Sequence, residues 1–498
     1  MGPWRRRVEV VVALAGLMLM ASCTGDAEPA AGGDSRAAPP VTADPAAVAL
    51  AEAKSSLEAD WADRRAGMVA VIAPSTAAGT DAVEMPAELG EVLAACPDGW
   101  SDAGGLTDTR IRIGLSVATS GPQAADRAIA DGMNAYFEGV NRAGGIRGRA
   151  LELVVIDDQY QAQAALAAIG QVLSREEPFL VTGVGTPGSL AERSPLAEAC
   201  VPQPFVGSPH PAFGDPTNYP LTSGFDRATT TEAILWGHWL QRDQAGDGPL
   251  RVGVLAIDND FGLTLLAAFE AWADGHPDVV ASVVSTRQRP DDSDVADRLA
   301  QLAAADADVV ILATSGDACG GAVAGSTPDR MPSVRARIVA SGCQGAVDRG
   351  LGPGAQGVVL VDGGVQALKD PAMVDQRFAL VARTDLTAAG LDPDDPRAVA
   401  GYGEYGWAVV ELLRVADALP GGLTRTNLAV ALRRVDLEHP LLAPGIRFST
   451  SGTDDAYPVE GGRVLAFQVD EDGWVPLGAP IDVNGATPPC RWEGGRCA

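Results

Sequence analysis

The chain has 498 residues, 46% of them hydrophobic, with 65 acidic against 37 basic side chains and a formal net charge of −28 at pH 7. A chain this long can bury two good cores if it divides into two lobes. A surface this acidic repels nucleic acid, which excludes it as a partner.

The first residues set the compartment. MGPWRRR is basic, Val10 to Met20 is an apolar run too short to span a bilayer with ease, and Met20-Ala21-Ser22-Cys23 brings small residues up to a cysteine. This is the layout of a signal peptide, and its ending resembles a bacterial lipobox. The resemblance implies removal of residues 1–22, a lipid on Cys23, and an exported chain anchored to the outer face of the bacterial cell membrane or held in the periplasm. Ordinary secretion with Cys23 incidental is the alternative. No later segment approaches ~20 uninterrupted apolar residues. Residues 23–44, rich in Ala, Pro and Gly, read as a flexible tether. Asp44-Pro45 then forms an N-cap and first helical position, with Leu50, Leu57 and Trp61 on one face. This helix opens an extension over 45–106, either packed on the main body or standing as a spacer.

From Arg110 the pattern is regular. IRIGLSV (111–117) reads as a strand, and the stretch to Ala143 as a helix with Ile129, Met133, Phe137 and Val140 on one stripe, stopped by Gly144-Gly145. Strands follow at LELVVID (151–157), FLVTG (179–183) and PFVG (204–207). The alternation restarts at RVGVLAID (251–258) and continues through VVASVVS (279–285), DVVILATS (308–315), RIVAS (337–341) and GVVLVDG (357–363). Repeated strand–helix units with apolar strands predict parallel sheets covered on both faces. The fold class is therefore α/β, with two doubly wound parallel-sheet lobes. Helices are expected at 371–389 and 399–419, with Thr424 capping another. The region after residue 446 turns to alternating strand patterns with a hairpin-like EDG turn.

Without Cys23, six cysteines remain, an even number suited to an oxidising compartment. Cys490 and Cys497 are close in sequence, and Cys319 and Cys343 each follow a predicted strand, which leaves Cys96 with Cys200 by elimination. Zinc is the rival use, but no C-x-x-C spacing occurs and the four histidines are scattered; no metal and no cofactor are expected.

FLVTGVGTPGSL (179–190) holds Gly183, Gly185 and Gly188 in G-x-G-x-x-G spacing after a strand. A dinucleotide site also needs an acidic residue at the tip of the next strand, and that strand ends PFVGSPH. Pro187 removes an N–H that would face a pyrophosphate. The loop suits a ligand carboxylate or carbonyl instead, or is simply a tight turn.

Several stretches in order carry a family resemblance: SGPQAADRAIADGMNAYFEGVNRAGGIRGRALELVVIDDQY (120–160), VPQPFVGSPHPAFGDPTNYPLTSG (201–224), IDNDFGLT (257–264) and HPLLAPGIRFSTSGTDDAYPV (439–459). Together they resemble the Leu/Ile/Val-binding (branched-chain amino acid type) family of ABC-transporter substrate-binding proteins, from about residue 110 to 482. The resemblance implies a type I periplasmic-binding-protein fold. Its first lobe would comprise 107–227 plus 363–436, and its second 228–362 plus 437–482, joined by a hinge. A cysteine-containing tail, 483–498, lies outside it. It further implies a small-molecule solute in the cleft, captured by lobe closure and passed to a membrane ABC permease. By matched position, Ser120, Thr186 and Ser208, with His210 adjacent, grip a ligand carboxylate from the first lobe. Phe261, Ser315 and Asp317 face it from the second, Asp317 as partner to an ammonium group. Local turn capping for the hydroxyls, solvation for His210 and helix capping for Asp317 remain the structural alternatives. Asp258 and Asp260 read as structural. Tyr402 and Tyr405 match an aromatic pair near the cleft or pack between helices.

Two departures from the family bear on the ligand. Amino-acid binders carry an acid after the strand that here ends Ala340-Ser341-Gly342-Cys343-Gln344, and Pro187 replaces a hydroxyl residue. The departures count against an α-amino acid, whose ammonium partner is then missing or moved to Asp317, and they set amides, short-chain or aromatic acids and urea-like molecules beside amino acids as ligands. A sensor presenting its solute to a membrane signalling partner is the alternative function. Enzyme activity is not expected, because no G-x-S-x-G elbow appears and the histidines do not cluster.

Overall fold

The computed structural model describes residues 44–73 and 87–497, apart from 245, 247, 293 and 472. The leader, Cys23 and almost all of the tether lie outside the described residues. Backbone contacts divide the chain into Met1–Ala47 and Val48–Ala498. In the first unit the described residues are 44–47, where the Ala46 N–H donates to Asp44 at 3.1 Å.

The helix α1 (Pro45–Ile72) settles one open alternative. From Val48 onward it packs on the body: Leu57 is buried, and the Trp61 ring meets Phe378 at 6.3 Å and Trp407 at 5.9 Å, both edge-on. Lys54 pairs with Asp385 at 2.8 Å and Arg65 with buried Glu411 at 2.6 Å. A short helix α2 (Ala87–Ala94) follows. Beyond it Cys96 is joined to Cys200, tying the extension to the first lobe.

Strands β1 (Arg110–Val117), β2 (Ala150–Asp157) and β3 (Leu180–Gly183) form a parallel sheet in the order β2-β1-β3. It is extended by β4 (Gln203–Val206) and β5 (Thr222–Gly224), since the Gly207 N–H donates to the Gly183 carbonyl at 2.8 Å. Helices α3 (Arg127–Arg142), α4 (Ala162–Arg175) and α5 (Thr186–Glu198) make the crossovers. The predicted stripe of α3 is buried: Ile129, Met133, Phe137 and Val140 all face the first core. That core covers one face of the sheet, and Ile156, Ile169, Val181 and Leu196 cover the other. Two glycines let α3 approach the segment Pro396–Gly406 closely. A Cβ on Gly132 would stand 2.1 Å from the Ala398 carbonyl oxygen, and one on Gly401 would stand 1.9 Å from that of Ile129. The helix expected over 399–419 accordingly runs through a π-type stretch, Ala400–Gly406, before the regular turns of Trp407–Ala418.

After α6 (Thr229–Trp239) the second sheet contains β6 (Leu250–Ile257), β7 (Val280–Gln288), β8 (Val309–Ala313), β9 (Ala336–Val339) and β10 (Val358–Val361), all parallel, connected by α7 (Asp260–Gly275), α8 (Ala296–Ala304) and α9 (Ala318–Gly325) among others. An antiparallel hairpin, Val464–Gln468 with Gly473–Pro476, completes its β10 edge. Separate apolar clusters cover its two faces, as a doubly wound sheet requires. Cys319 and Cys343, which follow the neighbouring strands β8 and β9, are bonded inside the core on one face of the sheet, with sulfurs 2.05 Å apart.

Two boundaries differ from expectation. The helix expected from residue 371 begins at Arg377, because 371–376 are taken up by turns closed onto Asp370 and Met373. Residues 437–459, expected in the second lobe, place Leu437, Leu441, Phe448 and Val459 in the first core; the chain rejoins the second sheet at Val464. The physical cause is the small antiparallel pair Asp436–Leu437 with Phe448–Ser449, which folds this segment back on itself beside Trp407 and Phe225.

Candidate functional site

The carboxyl ends of the strands in both sheets feed the loops where ligands bind in open α/β folds. From the first lobe, β3 turns into α5 through Gly185. Its φ is 105°, and a Cβ there would stand 2.8 Å from the Tyr160 ring, so glycine is required twice over. The turn sets Thr186 at the first position of α5, where its hydroxyl lies 2.7 Å from that of buried Ser208, at the end of β4. The His210 N–H donates to the Ser208 hydroxyl at 3.2 Å, and His210 Nδ1 accepts from the Ala212 N–H at 3.2 Å. Burial pushes the His210 imidazole down to about 4, so it is neutral and keeps its Nε2–H as a donor.

From the second lobe, Asn259 caps α7 by accepting the Gly262 N–H at 3.1 Å, which orients Phe261 in the first turn. The Phe261 ring lies over Gly342, where a Cβ would stand 3.2 Å from its edge and 2.8 Å from Ser315 Cβ. Between the lobes lies a cavity of about 440 Å³, lined by Thr186, His210, Thr229, Asn259, Phe261 and Thr264 among others. That size is ordinary for a small-molecule site.

Pro209 connects this cavity to a recess of about 220 Å³ lined by Asp226, Arg227, Ser341 and Val459. The N–H and hydroxyl of Ser341 donate to Glu232 at 2.7 and 2.6 Å, and Glu232 pairs with Arg227 at 2.9 Å. An acid therefore does sit beside the β9 loop, but it comes from α6 and is already paired with Arg227. Asp226 is different. Burial pushes its carboxyl up to about 7, against the pull of the Tyr405 hydroxyl bonded to it and of Arg227.

Thr186, Ser208, His210 and Phe261 are thus brought together. The Ser120 hydroxyl is turned to Asp157 at 2.6 Å, and Asp157 also takes the backbone N–H groups of Thr119 and Ser120. Ser315 is half-buried behind Gly342, and Asp317 is exposed at the start of α9 without a capping bond; neither lines the two cavities. The Tyr402 hydroxyl is spent on Asp385 at 2.9 Å inside the first core. Asp226, Thr229 and Asn259 escaped the sequence reading. The acid–base pair inside the otherwise uncharged run LTSGFDRATTT was the available signal for the first.

A larger cavity, about 830 Å³, lies outside the cleft between α6, α7 and the C-terminal tail, against Ile234, Trp272 and Pro488. It does not combine loops from both lobes, so the smaller inter-lobe cavity is the better candidate. Among the described residues no group of three or more His, Cys, Asp or Glu is placed to hold a metal ion, and no helix is long and apolar enough to cross a membrane.

This architecture defines a two-lobed binding protein, and comparison with known families agrees. A sequence profile described as "Periplasmic binding protein" matches residues 110–467, and the chain belongs to that family. Its relatives by structure include branched-chain amino acid ABC-transporter proteins, and it shares their type I fold. The chain is similar to a fatty acid ABC transporter substrate-binding protein from Thermomonospora curvata, with 18% identity and a TM-score of 0.56, over 77% of this chain and 95% of that one. It is similar to a branched-chain amino acid ABC transporter protein from Thermus thermophilus with bound valine, with 15% identity and a TM-score of 0.58, over 76% and 97%. A solute-binding protein from R. palustris in complex with benzoate matches at 16% identity and a TM-score of 0.54, over 77% and 100%. No curated protein matches in sequence.

Proposed function

We propose that this chain is the extracytoplasmic solute-binding component of an ABC importer, anchored through a lipid on Cys23. It captures a small polar organic solute between its lobes and presents it to a membrane permease. The carrying observation is the convergence of Thr186 and His210 from one lobe, both bonded to buried Ser208 behind them, with Asn259 and Phe261 from the other around one cavity. The paired hydroxyls and the start of α5 offer hydrogen-bond donors to a carboxylate or carbonyl. Phe261 offers an apolar cover, and Asp226, deeper in, offers a carboxyl to an amide or ammonium group. These chemistries fit a carboxylate or amide with a small apolar body, a class that also holds the valine and benzoate seen in structural neighbours.

The test is a thermal-shift screen of the chain against amino acids, amides, small carboxylates and ureas. A solute at a hundred times its dissociation constant adds about 2.7 kcal/mol of stability. Absence of any shift across the panel would overturn the solute class. Mass spectrometry of the N-terminal peptide from membranes tests the anchor: an unmodified Cys23 would refute it.

A further inference from the structure

We propose that the C-terminal hairpin closed by Cys490–Cys497 is a built-in gate across the mouth of the inter-lobe cleft, resting on both lobes and swinging aside to admit solute. This rests on the reading of that cleft as the solute site. The hairpin lies beyond the family match, which ends at residue 467.

The path of the tail carries the argument. Its root is fixed in the second lobe, where the Thr487 hydroxyl lies 2.9 Å from that of Thr231 on α6 and the Thr487 N–H donates to Glu460 at 2.8 Å. The chain then steps to the first lobe, where the Cys490 N–H donates to the Gly214 carbonyl at 2.8 Å. Two residues on, the Trp492 ring meets His210 edge-on, centroids 4.4 Å apart. The hairpin, Trp492–Glu493 paired with Arg496–Cys497, returns over α7, and Gly495 comes to rest beside Asp260. His210 and Asp260 both line the cleft cavity, one from each lobe. One short covalent loop therefore touches both rims of the same opening.

Burial along the tail shows which part is anchor and which part moves. Thr487 and Cys490 are each 1% exposed, whereas Glu493 to Cys497 are exposed and Trp492 is half-buried. Among the described residues the hairpin's ion pair, Arg491 with Glu493 at 2.6 Å, is internal and ties it to neither lobe. Its grip on the cleft is thus the Trp492–His210 contact on one rim and the packing of the return strand and Gly495 against α7 and Asp260 on the other. A segment with a buried root, a covalently closed tip and few outward bonds opens locally without unfolding the lobes. The Cys490–Cys497 bond keeps Trp492 and Gly495 moving as one piece.

The gate is tested without knowing the solute. In the full chain with Cys23→Ser, Thr186→Cys places a reporter thiol inside the cavity, and its rate of labelling by fluorescein maleimide reads access. Trp492→Ala, and separately Cys490→Ser with Cys497→Ser, are expected to raise that rate at least about tenfold, while Trp492→Phe keeps it near the parent rate. Equal rates in all four proteins overturn the gate. Circular dichroism of each variant identifies any that has lost its fold, and the Phe variant together with the double Ser variant then decides. A solute screen without hits beside tail-dependent labelling removes the solute reading and leaves a gated cleft. Hits beside tail-independent labelling remove the gate alone.

Discussion

The hydroxyl oxygens of Thr186 and Ser208, contributed by loops after successive strands, lie 2.7 Å apart, Thr186 lining the cleft cavity and Ser208 buried directly behind it. Each can donate only one proton, so a bound carboxylate would share the pair, one hydroxyl bridging to the other while the free proton points at the solute. Replacing either by alanine removes one link in that relay; Ser208 keeps the His210 N–H when Thr186 is replaced, whereas Thr186 loses its Ser208 partner when Ser208 is replaced. Thr186→Ala and Ser208→Ala are each expected to weaken binding of the solute found by screening by about 0.5–1.5 kcal/mol, roughly 2- to 12-fold in Kd. Titration calorimetry checks this, with parental melting temperatures showing that the fold is kept. Unchanged affinity in both would remove these loops from the site.

Glu192 makes the stability of the first lobe depend on pH. Its side chain is fully buried, with one carboxyl oxygen accepting from Ser116 at 2.7 Å and the other without a partner. Burial pushes its pKa from 4.5 up to about 8, and the Ser116 bond opposes this only in part. The folded state therefore keeps a proton that the unfolded chain gives up above about pH 4.5. The stability linked to that proton is complete below pH 4.5 and is lost as pH rises through about 8. Glu192→Gln has no proton to lose. Its melting temperature relative to the parent is expected to rise steadily between pH 5 and pH 8.5; a constant difference would refute the assignment. The opposite dependence of buried His439, pushed down to about 3, is common to both proteins and cancels.

The legible part of this molecule is the part written in local periodicity. The run DVVILATS becomes β8 because an unbroken apolar string fits only a strand covered on both faces, and the α3 stripe is buried because its spacing matches one helical face. Thr424 caps its helix by accepting the Asn427 N–H at 3.0 Å, again a local rule. The site was half legible. Thr186, Ser208 and His210 sit at strand ends, where loop position alone marks them. Asp226 and Trp492 were not, since each owes its role to a residue far along the chain, Tyr405 in one case and His210 in the other. Ser120 was misleading because Asp157, at the end of the neighbouring strand, competes for its hydroxyl.

The Cys96–Cys200 bond encloses a sequence separation of 104 residues, the longest of the three. A cross-link over so long a loop restricts the unfolded chain strongly, so replacing both cysteines by serine is expected to cost about 2–5 kcal/mol. Locally, the Trp100 indole N–H donates to the Cys200 carbonyl at 3.0 Å, which keeps the extension in place once the bond is gone. Urea unfolding followed by circular dichroism measures the loss. Thiol counting on the denatured, unreduced parent should find none of the six downstream cysteines free; two free thiols would remove one of the bridges.

The N-terminal helix is held by a mixture of charge and packing, and the two can be separated. Lys54 reaches Asp385, which also receives the Tyr402 hydroxyl, but the lysine is substantially exposed, and such a pair contributes little in water. Trp61 instead fills the space between Phe378 and Trp407, edge-on to both, beside buried Leu57. Edge-to-face aromatic contacts add to the apolar area they cover. Trp61→Ala is therefore expected to destabilise the chain by about 2–3 kcal/mol, less than a fully buried tryptophan because its ring is partly exposed. Lys54→Ala should change stability by less than about 1 kcal/mol. Limited proteolysis of the Trp61 variant should cut first within 48–72, as α1 peels from the first lobe. If Lys54→Ala proved the more damaging of the two, the helix would be held by charge rather than by its aromatic face.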